Sequence, residues 1–424
     1  LRVGTARITV ALAMVLVCLH VAAGQAWGIV FCTGQDPNSH KVTPPSNYDG
    51  VAFINSGEGA TAVLINPWYI LTANHASYNW VGSTATFNLS GGTQVFSMME
   101  KFTCPNADLA IIRLNRDTGL TGYPLYDPNV YGLETSFSTG GTLLGYGMSG
   151  TSATVQAGGD PNYPRGTLRL GYNKIEYIYS NLTYPDGSPL GTCLLTHFHQ
   201  PPSGLGASKE AMVAVGDSGG PVLIYTGGQL RLAGITATVS QPADPNHWPQ
   251  YDIWGYHVRV ADYASWINSK IPALPAPQTG DFNNDGNTNV ADIDALFAHY
   301  GSIDMWYDVS DDDVISRPDS DYLIRDLIGT EYGDTNLDHL VNLTDYEALA
   351  ANFGLTGTAG WAKGDFNGDK SVTFADYQIL EAYFGYGTGG SLPIPSVPLP
   401  EPTTLILLAC GGGLLIRRTP LRRG

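Results

Sequence analysis

Charge is scarce in this chain. Only 14% of its 424 residues are Asp, Glu, Lys or Arg, against roughly 25% in ordinary soluble domains. A chain so poor in charge, with 11% aromatic residues, is neither a disordered tail nor a coiled coil. Positive charge is scarcest: 21 Lys and Arg face 38 Asp and Glu, a net −17. That balance excludes a nucleic-acid binder, which needs clustered cations against phosphate. Cysteine is scarce too. Cys18 and Cys410 lie in the terminal segments, leaving Cys32, Cys104 and Cys193. Three thiols allow at most one disulfide plus a free thiol, and spacing does not choose the pair. This is not a disulfide-stapled scaffold. Long apolar runs occur only at the two ends.

At the N-terminal end Arg2 and Arg7 precede the apolar run Ile8 to Ala23, with small residues Ala26 and Gly28 after it. A charged start, a short apolar middle and small residues two apart read as a secretory signal peptide over 1–28. Removal after Gly28 exposes Ile29; Gly24 and Ala26 are alternative cut sites. At the other end Pro400-Glu401-Pro402 is followed by Thr403 to Ile416 without a charge, then Arg417, Arg418, Arg422 and Arg423. Fourteen apolar residues fall short of the ~20 that span a bilayer comfortably. These three parts in order resemble the PEP-CTERM sorting tail of bacterial exported proteins. The resemblance implies a tail over 401–424 handled at the envelope membrane, and a secreted or envelope-associated protein.

Between the ends the composition changes twice. Residues 29–271 show short apolar runs such as Val51–Ile54, Ala62–Ile65, Leu109–Leu114 and Val222–Tyr225, broken by Gly, Asn, Pro and Ser. Runs of four to six between turn residues read as an all-β sandwich or barrel. A Pro-rich linker follows at 272–280. Residues 281–385 then hold 21 acidic residues against Arg317, Arg325, Lys363 and Lys370. This segment carries the whole net charge, so its expected partner is a cation, a metal ion first. A second linker occupies 386–400.

The β-rich part holds three motifs: Leu71-Thr-Ala-Asn-His75-Ala, Asp108-Leu-Ala-Ile-Ile-Arg-Leu and Gly216-Asp-Ser218-Gly-Gly-Pro. Together they supply what acyl transfer requires. A serine hydroxyl is a poor nucleophile until an imidazole takes its proton, and a carboxylate must fix that imidazole's tautomer. Glycines beside the serine let backbone N–H groups approach a developing oxyanion.

In the order His, Asp, Ser these motifs resemble the trypsin/chymotrypsin-like serine endopeptidases across roughly 29–271. The resemblance implies two packed β-barrels with the active site between them. It makes His75 the general base, Asp108 the orienting acid and Ser218 the nucleophile, with the N–H groups of Gly216 and Ser218 as the oxyanion hole. It requires no cofactor for catalysis, and protein or peptide substrates follow. Ala76 and Ala214 stand where the family commonly keeps bracing cysteines. Met212 stands where trypsin-like members keep an acid for Lys and Arg, and Val239 where a pocket glycine is common. These imply a narrow apolar substrate pocket. His197 and His199 are two apart, but sequence offers no third ligand, so they read as surface residues.

The acidic segment repeats a 12-residue loop four times. Oxygen side chains fall at positions 1, 3, 5, 9 and 12: Asp281, Asn283, Asp285, Asn289 and Asp292; Asp308, Ser310, Asp312, Ser316 and Asp319; Asp334, Asn336, Asp338, Asn342 and Asp345; Asp365, Asn367, Asp369, Thr373 and Asp376. Four residues after each closing Asp stands a leucine: Leu296, Leu323, Leu349 and Leu380. A loop followed by a short helix is the expected unit. Alternating hard oxygens suit Ca²⁺, with position 7 adding its carbonyl. Asp at position 12 and the lack of a leading helix resemble dockerin type I modules, a family that binds cohesin domains. The second and third loops depart most, with Asp313 and His339 at the glycine position.

The expected fold is an all-β two-barrel trypsin-like protease domain plus a small α-helical array of EF-hand-like, dockerin-like calcium loops. The expected function is peptide-bond hydrolysis with a calcium-stabilised module for anchoring or for a cohesin-like partner. The alternative of another class is a non-catalytic adhesion or scaffold protein using a protease fold for binding.

Overall fold

The computed structural model describes residues 29–388, apart from 33–34, 56–58, 78–79, 138–139, 148, 152–162, 164, 201–209, 215, 241–250 and 273–275. Residues 1–28, read above as a signal peptide, most of the segment 386–400 and residues 401–424 lie outside the described residues. The chain divides into two compact units, 1–273 and 274–424. Among the described residues no helix is long and apolar enough to cross a membrane.

The first unit is almost wholly strand. After β1 (Val30–Phe31) come β2 (Val51–Asn55), β3 (Ala60–Asn66), β4 (Tyr69–Thr72), β5 (Thr84–Leu89), β6 (Gly92–Thr103) and β7 (Ala110–Leu114). Strands β2 to β7 close into an antiparallel barrel in the order β2-β3-β4-β7-β6-β5. Inward positions carry Ile54, Leu64, Ile70, Phe87, Phe96 and Ile112, all essentially without solvent exposure. Burial of such side chains contributes about 1.5–3 kcal/mol each, which drives closure.

The second half contributes β8 (Gly141–Gly145), β9 (Gly150–Thr151), β10 (Arg169–Asn173), β11 (Ile175–Thr183), β12 (Pro189–Phe198), β13 (Ala211–Met212), β14 (Pro221–Thr226), β15 (Gln229–Val239) and β16 (Ile253–Arg259). Seven of these form one sheet, β10-β8-β14-β15-β16-β12-β11, while β1 lies between β13 and β9 in a separate three-stranded sheet. The expected second barrel is therefore left open: among the described residues no ladder joins β10 to β11. The side chain of Asn173, at the end of β10, donates from Nδ2 to the carbonyls of His197 in β12 and Ala211 in β13. The single disulfide that three thiols would allow is not formed. Cys32, Cys104 and Cys193 are separate buried thiols, and burial pushes all three above the ordinary thiol range, Cys32 to about 11.

The second unit is built of turns and short helices at Val290–Ala298, Arg317–Tyr322 with its continuation Leu323–Ile328, Leu343–Asn352 and Phe374–Tyr383. Leu296, Leu323, Leu349 and Leu380 are fully buried in it. Both linkers are shorter than their composition suggested. Ala276–Thr279 forms a helical turn, and Thr279 accepts from Thr288 and from the N–H of Asp281, which ties it to the first acidic loop. At the far end Tyr386 accepts from the N–H of Val341, so it too belongs to the folded unit.

Candidate functional site

His75 follows β4 directly, opening a single 3-10 turn, His75–Ser77. Asp108 precedes β7 and is 3% exposed. Both therefore come from the rim of the closed barrel. Ser218 lies in the turn between β13 and β14. Residues 143 positions apart meet: His75 Nδ1 faces Asp108 Oδ2 at 2.6 Å, and His75 Nε2 faces Ser218 Oγ at 2.9 Å. The N–H of His75 also donates to Asp108 Oδ1 at 2.9 Å, so the carboxylate fixes both ring and backbone. With Nδ1 as the donor to Asp108, Nε2 is left to accept from the serine.

Sequence reasoning missed one member of this group. Tyr184, in the turn between β11 and β12, donates its phenol to Asp108 Oδ2 at 2.6 Å. Burial pushes the Asp108 carboxyl up, but His75 and Tyr184 outweigh it and hold that carboxyl below its ordinary value. A lone Tyr in a Pro-Asp-Gly-Ser turn carries no signal of this in the sequence.

The nucleophile loop is clamped to the closed barrel through Thr61. Its N–H donates to the carbonyl of Ser218 and its hydroxyl to that of Gly216. Gly219 sits at φ 83°, and a Cβ there would lie 2.0 Å from Thr61 O and Thr72 Oγ1, so only glycine fits. Gly216, the other proposed oxyanion donor, also has positive φ, 95°. Behind the loop Asp217 is fully buried. Burial pushes its acid well above the carboxylate range, opposed by the N–H groups of Ala214 and Gly147 and by the charge of Arg169. His257, buried between the hydroxyls of Thr196 and Thr236, is held down to about 3 by desolvation and stays neutral.

The three residues open on a cleft of about 810 Å³ lined by Tyr184, Val213, Ala214, Ala237 and Val239 among others. Of the two expected pocket residues, Val239 lines it. Met212 does not: it is fully buried in β13, and its Sδ packs 3.0 Å from where a Cβ on Gly255 would stand. Pairing with Val30 of β1 turns its side chain into the core, and Val213 and Ala214 form the wall instead.

Comparisons with known proteins bear on the peptidase part of the chain. Residues 38–186 match the family model described as Trypsin. A Corynebacterium glutamicum protein named "Putative peptidase Cgl1093" is 26% identical over 232 residues, 54% of this chain and 71% of its own. The N-terminal unit is a trypsin-like serine peptidase. Among solved structures, neuropsin, a serine protease expressed in the limbic system of mouse brain, aligns over 54% of this chain and 97% of its own, at 21% identity and a TM-score of 0.37. The family match includes His75 and Asp108 of the peptidase unit and ends before Ser218, which its hydrogen bond to His75 brings into the site.

In the acidic unit the four loops share one backbone plan. The position-1 carboxylates of Asp281, Asp308, Asp334 and Asp365 each accept the N–H of position 6, from Gly286, Asp313, His339 and Lys370. The position-12 carboxylates of Asp292, Asp319, Asp345 and Asp376 each accept the N–H of position 2. They also take that of position 9, Asn289, Ser316, Asn342 and Thr373, as helix capping boxes. Positions 9 and 12 thus have a structural role of their own. Positions 4 and 6 are left-handed in all four loops, including Leu337, His339 and Lys370. Asp313 and His339 therefore change the side chain without changing the loop, and Lys370 makes the fourth loop a third departure. Asn283, Asn336 and Asn367 at position 3 each donate to Asp285, Asp338 and Asp369 at position 5. Among the described residues only Asp308, Asp312 and Asp319, with Ser310 beside them, bring three carboxylate oxygens within 4.8 Å of one another. Burial raises Asp292, Asp319, Asp345 and Asp365, the last to about 6.

Proposed function

We propose that this protein is an endopeptidase in which Ser218 attacks the scissile carbonyl. Its proton passes to His75 Nε2 while Asp108 holds Nδ1–H and stabilises the imidazolium. The oxyanion that forms accepts from the N–H groups of Gly216 and Ser218. The C–N bond then breaks as His75 returns the proton to the leaving amine, and water repeats the sequence on the acyl-serine. The observation that carries this reading is the unbroken chain of 2.6 and 2.9 Å contacts from Asp108 through His75 to Ser218. The test is labelling by a serine-directed phosphonate and turnover of a peptide library. Wild type should label at Ser218, and Ser218→Ala should lose ~10⁴-fold or more in turnover while keeping its fold. An unlabelled wild type, or near-normal turnover in the mutant, refutes the assignment and leaves the binding-protein alternative.

The cleft's apolar wall of Val213, Ala214, Ala237 and Val239 supports cleavage after small or apolar side chains. None of these four side chains can pair with a buried Lys or Arg.

The second part of the proposal is a calcium-holding, dockerin-like array over 281–385. The donor set fits a hard cation: carboxylates at positions 1, 5 and 12 with amide or hydroxyl oxygens at 3 and 9. Burial raises Asp292, Asp319, Asp345 and Asp365, and neighbouring acids push Asp365 higher still, a repulsion that a cation would relieve. The array would anchor the enzyme or dock a cohesin-like domain. Export through the segment 1–28 and envelope handling of the tail 401–424 complete the reading; both lie outside the described residues.

A further inference from the structure

The sequence pairs His197 with His199 but gives them no third ligand; the fold provides one. In an extended strand, residues two apart share a face, and the two rings meet at 4.3 Å between centroids, 77° apart, at the end of β12. On the neighbouring strand β11 the register slips between Ile175, opposite Thr196, and Tyr177, opposite Leu195. Glu176 is the residue in that bulge. Bulges re-aim a side chain out of strict alternation, and this one brings Glu176 Oε1 within 3.2 Å of His199 Nε2.

We propose that Glu176, His197 and His199 form a binding site for a zinc-class divalent metal ion. One ligand atom from each lies within 4.8 Å of the others. In a tetrahedral zinc site with bonds of about 2.0–2.1 Å, ligand atoms stand about 3.3 Å apart, close to the His199–Glu176 separation. Two imidazoles and one carboxylate are donors of zinc type, unlike the all-oxygen loops of the second unit. The side chains of Glu176, His197 and His199 are only 19, 15 and 23% exposed, so the group is half-enclosed and leaves a direction open for a fourth ligand.

Support from behind the ligands distinguishes this cluster from a chance ion pair. His199 Nδ1 faces the buried carboxylate of Glu210 at 2.9 Å. A carboxylate on the far ring nitrogen fixes the tautomer and turns the lone pair of Nε2 toward the metal position. His197 lies stacked on Trp254, 4.1 Å between centroids and 17° between planes, which sets its ring orientation. Asp252, on the outer side of His197 Nε2 at 3.8 Å, adds negative charge at the mouth. The site also has a place in the working enzyme. Glu210 directly precedes β13 and the segment that leads to Gly216 and Ser218, so a metal would tie the β11–β12 hairpin to the start of the nucleophile loop. Glu210 is thus a positioning residue.

The test uses tag-free full-length protein in millimolar Ca²⁺, so that the acidic loops compete poorly for the second metal. Zinc bound per chain is measured by equilibrium dialysis with elemental analysis, and coordination by the visible spectrum of the Co²⁺ form. Wild type should bind one more zinc than His199→Ala, and Co²⁺ should give the intense bands of a four-coordinate N/O site. Glu176→Gln and Glu210→Gln should each weaken binding about 10–100-fold, with serine labelling at Ser218 serving as the check of folding. Zinc at about a hundredfold over its dissociation constant should raise the Tm of wild type by roughly 5–10 °C and that of His199→Ala not at all. Equal zinc binding by wild type and His199→Ala, or no zinc retained by wild type at micromolar concentration, overturns the proposal. So does a pH-dependent stabilisation lost in Glu176→Gln without metal uptake, since the group is then an ion pair only.

Discussion

Tyr184 and His75 share one oxygen. The phenol of Tyr184 donates to Asp108 Oδ2 at 2.6 Å, and His75 Nδ1 reaches the same atom at 2.6 Å. A carboxylate that accepts two short bonds is fixed in rotation, and it fixes the imidazole in turn. Tyr184 touches neither nucleophile nor substrate carbonyl and acts as a positioning residue.

Tyr184→Phe tests this without changing the shape of the cleft. A hydrogen bond to a charged group contributes about 1.5–3 kcal/mol. His75 still holds the carboxylate, so kcat should fall about tenfold with KM nearly unchanged. The acid side gives a second reading. Tyr184 and His75 hold the Asp108 carboxyl below its unfolded value. Its stabilisation is therefore present above the ordinary carboxyl pKa and is lost as pH falls through the lower, folded value. Removing the phenol raises the folded value, so acid unfolding should begin at higher pH. An unchanged kcat together with an unchanged acid midpoint would show the contact to be idle.

What the sequence disclosed depended on whether a feature is local. Gly216-Asp-Ser218-Gly-Gly-Pro and the four acidic loops are local, and their backbones follow from glycine and Asx chemistry within a dozen residues. Partners brought by long-range pairing left no trace. Tyr184 reaches Asp108 across 76 positions. Glu176 depends on a register slip that no alternation pattern encodes. The resemblance to trypsin-like members made Met212 a pocket residue, but it pairs with Val30 and is fully buried in the core. The hydrogen bonds from the Asn173 amide to His197 in β12 and Ala211 in β13 were equally hidden, because they join residues 24 and 38 positions apart.

Gly145 is required for steric reasons alone. A Cβ at this residue would stand 1.7 Å from Asp217 Oδ1, and Asp217 is fully buried directly before the nucleophile. Gly145→Ala should cost about 3 kcal/mol or more by overpacking and displace Ser218, so activity falls with Tm. Gly91→Ala, with nothing near its Cβ and no positive φ, is the matched control and should be neutral. Thermal melts and turnover of the pair decide it, and a normal Gly145→Ala enzyme would contradict the packing.

The start of the mature chain is the next expectation. Ile29 is fully buried in the core of the second sheet, and Ser149 Oγ donates to its carbonyl. Burial pushes the Asp217 acid well above the carboxylate range. In the trypsin-like endopeptidases that the chain resembles, a freshly cut N-terminal ammonium pairs with the acid before the nucleophile, here Asp217. Cleavage after Gly28 would release such an ammonium at Ile29, followed by Val30 and then by Phe31-Cys32 in place of the family's usual Gly-Gly. Active enzyme should begin at Ile29, and a variant that retains Gly28 should be much weaker. N-terminal sequencing that finds fully active protein beginning elsewhere rules this out.

Cleavage should follow small or apolar residues. Val213, Ala214, Ala237 and Val239 line the cleft, and none can pair with a buried cation, whose desolvation costs several kcal/mol. Val239→Gly should widen the profile toward larger apolar residues. A library digest led by Lys and Arg would reject the assignment of this wall to the substrate pocket.

The acidic unit provides the last expectation. The segment 281–385 sets 21 acidic residues against four basic ones, and its short helices each bury one central leucine, Leu296, Leu323, Leu349 or Leu380. Such helices are marginal alone, and the carboxylates repel one another unless a cation lies among them. Calcium binding to the folded form contributes about 2.7 kcal/mol per site at a hundredfold excess over its dissociation constant. That is enough, over several sites, to decide whether the unit folds. A chelator should therefore lower the helical signal and open 281–385 to proteolysis. The peptidase unit, with 11 basic against 16 acidic residues over 29–271 and without such loops, should keep most of its activity. Replacing Asp281, Asp334 and Asp365 by Asn should remove calcium from three loops while leaving the second, where Asp308, Asp312 and Asp319 converge. Because Asp292, Asp319, Asp345 and Asp376 also cap their helices, changing those to Asn should destabilise the unit even without calcium. The two sets of variants thus separate metal binding from capping. A chelated unit that stays protease-resistant, or a position-1 triple variant with unchanged calcium stoichiometry, would leave the loops as capped acidic turns.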